Sequence, residues 1–581
     1  MGTRVTRPSE WFASIEHPSE ARAQRVPAFA SGSGRGNGDS CNSSLRMVRF
    51  FWDGASWAPT HAALVSRPIS RREFHRQCLQ AGSFLLAAPA LARGEAAGPA
   101  ILTGNRPNVA NGVASGDVTE ATAVVWSRTD RAARIVVEWD TTDSFRVPRR
   151  VVGPVTGPEA DFTAKTLLTD LPAGTRVFYR VRFEGSQGEV GEAQGGSLLT
   201  AAREAAEVHF AWSGDTCGQG WGIDETRGGL RTYEAIRRQE PQFFVHSGDT
   251  IYADNPLKAR VPLADGTVWQ NLMTEEKSKA AETLGEFRGN YRYPLLDPHV
   301  RRLYADTPVF VQWDDHEVLN NWWPGRQLPS GVGYEVRDVN LLAARSKQAF
   351  FEYQPITHHP DRQVYRRISR GPMCELFFLD LRSYRGPNGP NRQPVRGPEA
   401  DFMGAAQLEW LKGALASSRA VWKIVCSDLP LALMVQDLAG SEAFANGDGP
   451  PLGRELEVAE LLRHLKKEKV RNVIWLTADV HYCASHYYDP AKAQFTDFDG
   501  FWEFVSGPLH AGTFGPNRLD NTFGPEVRFT SREPGAPTAG PWTEHQFFGT
   551  VRIHPKTRAA TVTHFNRDSE KLWAVTLEAH G

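Results

Sequence analysis

The sequence has few cysteines and no long hydrophobic run, and these absences exclude several classes of protein. Six cysteines in 581 residues are too few for a disulfide-stapled extracellular scaffold. No segment reaches the roughly 18 uncharged apolar residues of a transmembrane helix, so we expect no transmembrane anchor. The 66 Lys and Arg residues do not exceed the 67 Asp and Glu residues. We therefore expect no stable nucleic-acid binding, which normally needs a basic excess.

Two catalytic motifs that are common in hydrolases and NTPases are also absent. The chain contains neither a Gly-x-Ser-x-Gly nucleophile elbow nor a Gly-Lys-(Ser/Thr) phosphate loop, which argues against the common serine hydrolases and the P-loop NTPases. No segment repeats at a fixed period, so a solenoid or a propeller is not expected. Any catalytic chemistry must come from other side chains.

The N-terminal region lacks the pattern of a folded domain. Residues 1–69 are rich in Arg, Ser, Gly and Pro, and we expect a disordered segment or a mis-annotated extension there. In residues 70–92, Arg71 and Arg72 precede an apolar stretch that closes on small residues, the order of a twin-arginine signal peptide. The alternative is a short amphipathic helix with a chance Arg pair. We expect export by the Tat machinery and a periplasmic or secreted protein.

Two patterns divide the remaining chain. In residues 93–203, short alternating apolar runs are separated by turn residues, which is typical of a fibronectin-III-like or Ig-like β-sandwich domain. In residues 204–581, compact apolar strands end in polar, Gly-containing loops and are followed by helical periods, which indicates an α/β fold. We predict a small β-sandwich domain followed by a larger catalytic domain.

Four apolar strands of the predicted α/β domain run directly into acidic loops. These strands cover residues 208–212, 243–246, 309–313 and 473–477. Because α/β sheets place their ligand sites beyond such strand ends, we expect the four loops to meet at one site.

The four loops offer oxygen, nitrogen and sulfur donors for metal ions. The candidate ligands are Asp215, Cys217, Asp249, Tyr252, Asp315, Asn320, Asp479 and His481. Donors from four segments can hold at least two ions with one bridging carboxylate, and such sites commonly hydrolyse phosphate esters. The alternatives are that Cys217 is an ordinary buried thiol and that His481 is a core histidine.

The order of these motifs resembles the calcineurin-like metallophosphoesterases, and their form is similar to the PhoD-type alkaline phosphatase/phosphodiesterase family. The motifs are Asp-Thr-Cys at 215–217, Gly-Asp-Thr-Ile-Tyr at 248–252, Asp-Asp-His-Glu at 314–317 and Ala-Asp-Val-His at 478–481. The resemblance implies a calcineurin-like, two-sheet α/β sandwich. It also implies an exported phosphoesterase that hydrolyses phosphate monoesters and/or diesters by attack of a metal-activated water.

The same resemblance implies the cofactors and their ligands. The residues implied for one Fe³⁺ are Cys217, Asp249, Tyr252 and His481, with Asp215 close by. The residues implied for one or two Ca²⁺ are the bridging Asp249, Asp479 and either Asp315 or Asn320. Phenolate and thiolate donate strongly to Fe³⁺, whereas Ca²⁺ prefers hard oxygen ligands. Asp428 stands where a histidine ligand is common in related enzymes.

Two residues are candidates for direct catalytic roles. His316 would hydrogen-bond a phosphoryl oxygen or protonate the leaving group, with Glu317 or Asp314 orienting it. The Arg382 guanidinium has the fork geometry that suits phosphate oxygens. The alternative for Arg382 is a surface salt bridge.

The expected substrates are small phosphate esters, with phospholipids or nucleotide-type diesters as further partners. A phospholipase D-like phosphodiesterase is therefore an alternative within the same core. A different class is an extracellular calcium-dependent binding protein. Such a module would use clustered oxygen ligands, and it has no use for Cys217, Tyr252 and His481 at separate strand ends. The oligomeric state is not predicted.

Overall fold

The computed structural model describes residues 106–357, 361–437 and 440–581. The predicted extension (1–69) and export signal (70–92) lie outside the described residues and stay predictions. No helix within the described ranges is long and apolar enough to cross a membrane.

Antiparallel strands form the N-terminal part of the described chain. They are β1 (Val109–Gly116), β2 (Ala123–Thr129), β3 (Ala133–Asp140), β4 (Arg149–Thr156), β5 (Thr163–Leu168), β6 (Arg176–Glu184) and β7 (Gln194–Leu199). Strands β1, β2 and β5 form one sheet, and the second sheet has the order β4-β3-β6-β7. In β6, Val177, Tyr179, Val181 and Phe183 are buried, the period of two expected for a strand with one face in a core.

The remainder of the chain alternates strands and helices. The strands are β8 (Val208–Ser213), β9 (Phe243–Ser247), β10 (Arg260–Pro262), β11 (Val268–Gln270), β12 (Val309–Gln312), β13 (Arg366–Ser369), β14 (Cys374–Phe378), β15 (Trp422–Cys426), β16 (Gln436–Asp437), β17 (Gly440–Ser441), β18 (Val473–Thr477), β19 (Ala484–Tyr488), β20 (Phe501–Val505), β21 (Pro525–Thr530), β22 (Phe547–Ile553), β23 (Ala560–Asn566) and β24 (Lys571–Leu577). The helices are α1 (Arg231–Arg237), α2 (Leu284–Arg292), α3 (Pro298–Asp306), α4 (Val339–Tyr353), α5 (Ala405–Ser417) and α6 (Glu455–Lys467).

Two mixed sheets form the centre of this larger part, which confirms the α/β prediction. The six-stranded sheet has the order β12-β9-β8-β22-β23-β24, and the seven-stranded sheet has the order β13-β14-β15-β18-β20-β19-β21. Strands β12, β9 and β8 are mutually parallel, and so are β14, β15, β18 and β20. Parallel neighbours end at the same edge of a sheet, which brings their following loops together.

The two sheets pack face to face, and helices cover their outer faces. In β9, Phe243 and Val245 join the cluster between the sheets, whereas Phe244 joins the cluster that includes α1 and α4. In β18, Leu476 faces the same inter-sheet cluster and Trp475 packs in the cluster that includes α5 and α6. Strands buried on both faces explain the nearly continuous apolar runs in the sequence.

Two tryptophans tie the sheets together at the edge where the acidic loops begin. Trp212 Nε1, near the end of β8, donates to the carbonyl oxygen of Thr477 at the end of β18, at 3.3 Å. Trp313 Nε1, just after β12, donates to Asp380 Oδ1 just after β14, at 2.9 Å. These bonds join the ends of strands in different sheets, so they limit relative sliding of the sheets beneath the loops.

The N-terminal strands dock onto the larger part through buried polar contacts. Lys165 Nζ donates to the carbonyl oxygens of Phe351 at 2.7 Å and Ile356 at 3.1 Å, at the end of α4. Burial, which disfavours the charged amine, lowers the pKa of Lys165 to about 8. Arg370 donates to the carbonyl oxygens of Val118 and Leu199, both at 2.9 Å. The two parts are therefore joined through carbonyl groups that would otherwise lose their water.

The packing between the sheets can be tested by a substitution at Phe310. Its ring is fully buried, stacks on Phe243 at 4.8 Å and meets Phe378 of the opposite sheet edge-on at 6.3 Å. We expect Phe310→Ala to lower the free energy of unfolding by about 3–5 kcal/mol, because it removes buried apolar area and leaves a cavity. The measurement is urea-induced unfolding. Val155→Ala, at a 59% exposed position, is the control and should change stability by less than about 0.5 kcal/mol. Equal effects of the two changes would contradict this packing.

Candidate active site

The acidic loops after β8, β9 and β18 contain non-glycine residues in the left-handed backbone region. The φ angles are 70° at Asp215, 50° at Asp249, 67° at Asp479 and 62° at His481. Such conformations are costly for residues with a Cβ and concentrate at functional sites. Here they turn side chains at strand ends towards a common centre.

Donor atoms from these three loops and from the loop after β12 form three overlapping groups. Within each group the ligand atoms lie within 4.8 Å of one another, and the groups are Asp215, Asp249 and His481; Asp249, Asp315 and His316; and Asp314, Asp315 and Asp479. Asp249 and Asp315 each belong to two groups. The result is a continuous row of donors in which two carboxylates can bridge neighbouring ions.

The row carries more buried negative charge than the protein neutralises. Burial, followed by repulsion from Asp315 and Asp314, raises the pKa of Asp249 far above its usual value. Asp215 Oδ2 and Asp314 Oδ2 are buried, and neither accepts a hydrogen bond from the residues that the structure describes. Buried carboxylates need protons or cations to be stable, so this donor set fits divalent or trivalent metal ions.

His481 is oriented with one nitrogen facing the donor row. Its Nδ1–H donates to the carbonyl oxygen of Gly512, which leaves Nε2 unprotonated in the neutral ring. Nε2 accepts from the Tyr252 hydroxyl at 2.9 Å and lies 3.4 Å from Asp215 Oδ1. A histidine fixed by a backbone carbonyl in this way is typical of a metal ligand.

His316 is oriented by Asp254, a residue without an assigned role in the sequence prediction. The His316 Nδ1–H donates to Asp254 Oδ1 at 2.7 Å, and the ring stacks on Tyr252 at 4.2 Å. Burial lowers the pKa of His316, but the Asp254 and Asp315 carboxylates outweigh it and raise the value to about 9. The predicted orienting partners, Glu317 and Asp314, make other contacts, so that part of the prediction is wrong. The feature of the sequence that could have identified Asp254 is its position as a second acid in the same loop, five residues after Asp249.

Glu317 instead joins two of the loops. Its fully buried carboxylate accepts from the backbone N–H groups of Asp249 at 3.0 Å, Thr250 at 2.6 Å and Asp314 at 2.7 Å. Because one side chain satisfies donors from the loops after β9 and β12, it fixes the distance between Asp249 and the third loop.

Arg382 lies beneath the carboxylates and not on an open surface. Its Nε donates to Asp314 Oδ1 at 2.7 Å, it lies 3.4 Å from Asp428 Oδ2, and its Nη1 pairs with Glu442. The residue is 0% exposed. Its Nη2 lies 3.9 Å from both Asp315 Oδ1 and Asp479 Oδ1, so the guanidinium borders the donor row and holds Asp314 in position. This burial does not support a surface salt bridge.

Cys217 and Asn320 are predicted ligands whose surroundings differ from those of the donor row. The thiol of Cys217 lies in the apolar cluster with Tyr233 and Tyr293, where burial raises its pKa to about 12, and no donor group among the described residues includes it. Asn320 is exposed, and its backbone N–H donates to Asp254 Oδ2 at 2.9 Å. The geometry therefore favours Asp315 as the metal ligand from this loop, whereas the sequence alone leaves both Asp315 and Asn320 as candidates. Asp428 contacts Arg382 and lies outside the three groups.

Comparison with known proteins gives consistent matches over most of the chain. Residues 210–564 match the family model of the PhoD-like phosphatase, and residues 96–196 match that of its N-terminal domain. Alkaline phosphatase D of Bacillus subtilis (strain 168) is 24% identical over 437 residues, which cover 71% of each chain. A solved structure of PhoD is similar with a TM-score of 0.59 and 20% identity, over 81% of this chain and 88% of that one.

The Asp254–His316 pair can be tested by titration. In metal-free protein, we expect Asp254→Asn to bring the pKa of His316 well below 9, because the amide removes the charge that favours the imidazolium while the burial remains. Histidine chemical shifts in an NMR titration measure this change. Asp265→Asn, in the exposed turn between β10 and β11, is the matched control and should leave His316 unaffected. An unchanged titration in Asp254→Asn would contradict the pairing.

Proposed function

Because this chain belongs to the PhoD-like phosphatase family, we propose that it is a metal-dependent phosphoesterase that hydrolyses phosphate monoesters and/or diesters. The observation that carries this proposal is the row of three overlapping donor groups at the strand ends. Multinuclear sites of this kind suit in-line displacement at phosphorus. The curated relative is named as an alkaline phosphatase, which agrees in reaction class.

The proposed cofactors are one Fe³⁺ and one or two Ca²⁺. Asp215, Asp249, Tyr252 and His481 would hold Fe³⁺, and the carboxylates of Asp249, Asp315 and Asp479 would hold Ca²⁺. Burial and the neighbouring carboxylates raise the pKa of Tyr252, so its phenol stays protonated until a cation binds and stabilises the phenolate. When bound, such ions polarise phosphoryl oxygens and lower the pKa of a coordinated water. Cys217 is no part of this set, because its thiol lies in the apolar core.

The chain itself supplies positioning and proton chemistry. With its Nδ1–H held by Asp254, His316 has Nε2 free to donate to a phosphoryl oxygen or to the leaving oxygen. A raised pKa favours the protonated form that this role requires. Glu317 fixes the loop that carries His316 to the loop that carries Asp249. Arg382 keeps Asp314 in place from below.

The finer domain and localisation assignments are part of the same proposal. We assign residues 93–203 to a fibronectin-III-like or Ig-like sandwich and residues 204–581 to a calcineurin-like catalytic sandwich. The two antiparallel N-terminal sheets and the two mixed sheets support this division. Export as a folded protein through the Tat machinery, to the periplasm or the exterior, rests on the residue pattern at 70–92 alone.

Asp249 is the residue whose loss should affect both metals and turnover. It belongs to two donor groups, so we expect Asp249→Ala to abolish metal loading and hydrolysis together. Metal analysis and assays with 4-nitrophenyl phosphate and bis(4-nitrophenyl) phosphate measure the two effects and separate monoester from diester activity. Asp143→Ala, at an exposed N-terminal position, is the control and should behave as the unmodified protein. Near-normal turnover of Asp249→Ala would remove it from the site, and metal binding without turnover of either ester would favour a calcium-binding protein.

The colour of the protein tests the iron assignment. Phenolate bound to Fe³⁺ absorbs visible light, so we expect Tyr252→Phe to lose or shift the visible band and to lower activity. Cys217→Ala, in the adjacent core, should keep both the band and the activity. Absorption spectra and iron content are the measurements. A colourless, iron-free preparation that is fully active with calcium alone would contradict the iron assignment. Loss of the visible band in Cys217→Ala would show that the thiol is an iron ligand.

A further inference from the structure

One exposed aromatic side chain borders the donor row. The Phe514 ring stacks on the imidazole of His481, with centroids 4.7 Å apart and planes at 23°, while 39% of the residue is exposed. The Nε2 of the same imidazole faces Tyr252 and Asp215. The open part of the phenyl ring therefore lies one side chain away from the row of carboxylates.

The backbone before Phe514 is anchored on both sides. Gly512 N–H donates to Gln219 Oε1 at 2.9 Å. Thr513 and Ala539 exchange two backbone hydrogen bonds, at 2.8 and 2.9 Å. The exposure of the phenyl ring therefore cannot be attributed to a loose loop tip.

The backbone after Phe514 is held just as firmly, against the buried Tyr482. Gly515 has a φ of 86°, and a Cβ there would meet the Tyr482 ring at 2.6 Å. The Asn517 backbone N–H donates to Tyr482 Oη at 3.1 Å, and its Nδ2 donates to the carbonyl oxygen of Met434 at 3.1 Å. Only glycine fits this close approach and backbone angle, and the two bonds fix the chain beyond it.

A rigidly presented phenyl ring beside a polar site is typical of a ligand pocket wall. Leaving such a ring in water forgoes favourable apolar burial, whereas binding sites combine apolar walls with a few directed polar groups. Resting on the proposed function, we propose that Phe514 determines specificity by stacking against an aromatic or flat apolar group attached to the phosphate. The preferred substrates are then aryl or nucleotide-like esters over small alkyl esters.

The test compares an aryl ester with an alkyl ester in the metal-loaded protein. The substrates are 4-nitrophenyl phosphate and ethyl phosphate, and inorganic phosphate as an inhibitor reports on the phosphate end alone. We expect Phe514→Ala to raise KM for the aryl ester about 5- to 10-fold, the scale of a lost aromatic stack, with kcat for both esters and KM for ethyl phosphate nearly unchanged. The inhibition constant of phosphate should also stay unchanged.

Two further variants and a control keep the test decisive. Phe514→Tyr keeps the ring and should restore the aryl preference, whereas Phe514→Leu still covers His481 but lacks the flat face and should reduce it. Leu296→Ala, at a 38% exposed position away from the site loops, should leave all constants unchanged. If Phe514→Ala loses its metal, Phe514→Leu takes its place in the comparison. A larger rise in KM for the aryl ester than for ethyl phosphate then supports the proposal, and equal changes overturn it.

The outcomes separate this inference from the proposed function. A KM effect confined to the aryl ester supports stacking on Phe514. Equal changes for aryl and alkyl esters, or no change, overturn it while leaving the phosphoesterase proposal intact. Failure of the unmodified, metal-loaded protein to hydrolyse either ester overturns the proposed function, and the inference falls with it.

Discussion

The structure depends on bringing like charges together out of water. The carboxylates that share the row are Asp215, Asp249, Asp314, Asp315 and Asp479, and the Arg382 guanidinium contacts three of them, Asp314, Asp315 and Asp479. Without added cations the electrostatic cost appears as raised pKa values, to about 6 for Asp314 and further for Asp249 and Asp479. A fold that accepts this cost gains a site that binds highly charged ions strongly.

Much of the surrounding structure keeps these charges in position. Backbone bonds from Asp215 N to Gly248 O at 3.3 Å and from Thr216 N to Asp249 O at 2.8 Å join the first two loops. The Glu317 carboxylate joins the second loop to the third. Because neighbouring loops are tied to one another, repulsion between their acids cannot simply push the loops apart. The left-handed residues at the strand ends are stable for the same reason.

Residue patterns could predict the strands and the loops but not every side-chain direction. Apolar strands that end in Gly-Asp identify Asp249 as a site candidate, because both the burial period and the loop chemistry are local. Cys217 and Asp215 are only two residues apart, yet their turn sends the thiol into the core and the carboxylate to the row. The Asp254–His316 pair and the burial of Arg382 depend on contacts between residues distant in sequence, which no local pattern records.

The row also spans both sheets, and this makes the inter-sheet packing part of the site. Asp249 and Asp315 follow strands of the six-stranded sheet, whereas Asp479 follows a strand of the seven-stranded sheet. A slide of one sheet over the other would move Asp479 away from Asp315 and break the third donor group. The Trp212 and Trp313 hydrogen bonds cross between the sheets at this edge, and close-packed rings such as Phe310 and Phe378 resist sliding beneath them. The precision of the charged site is therefore set by the apolar core.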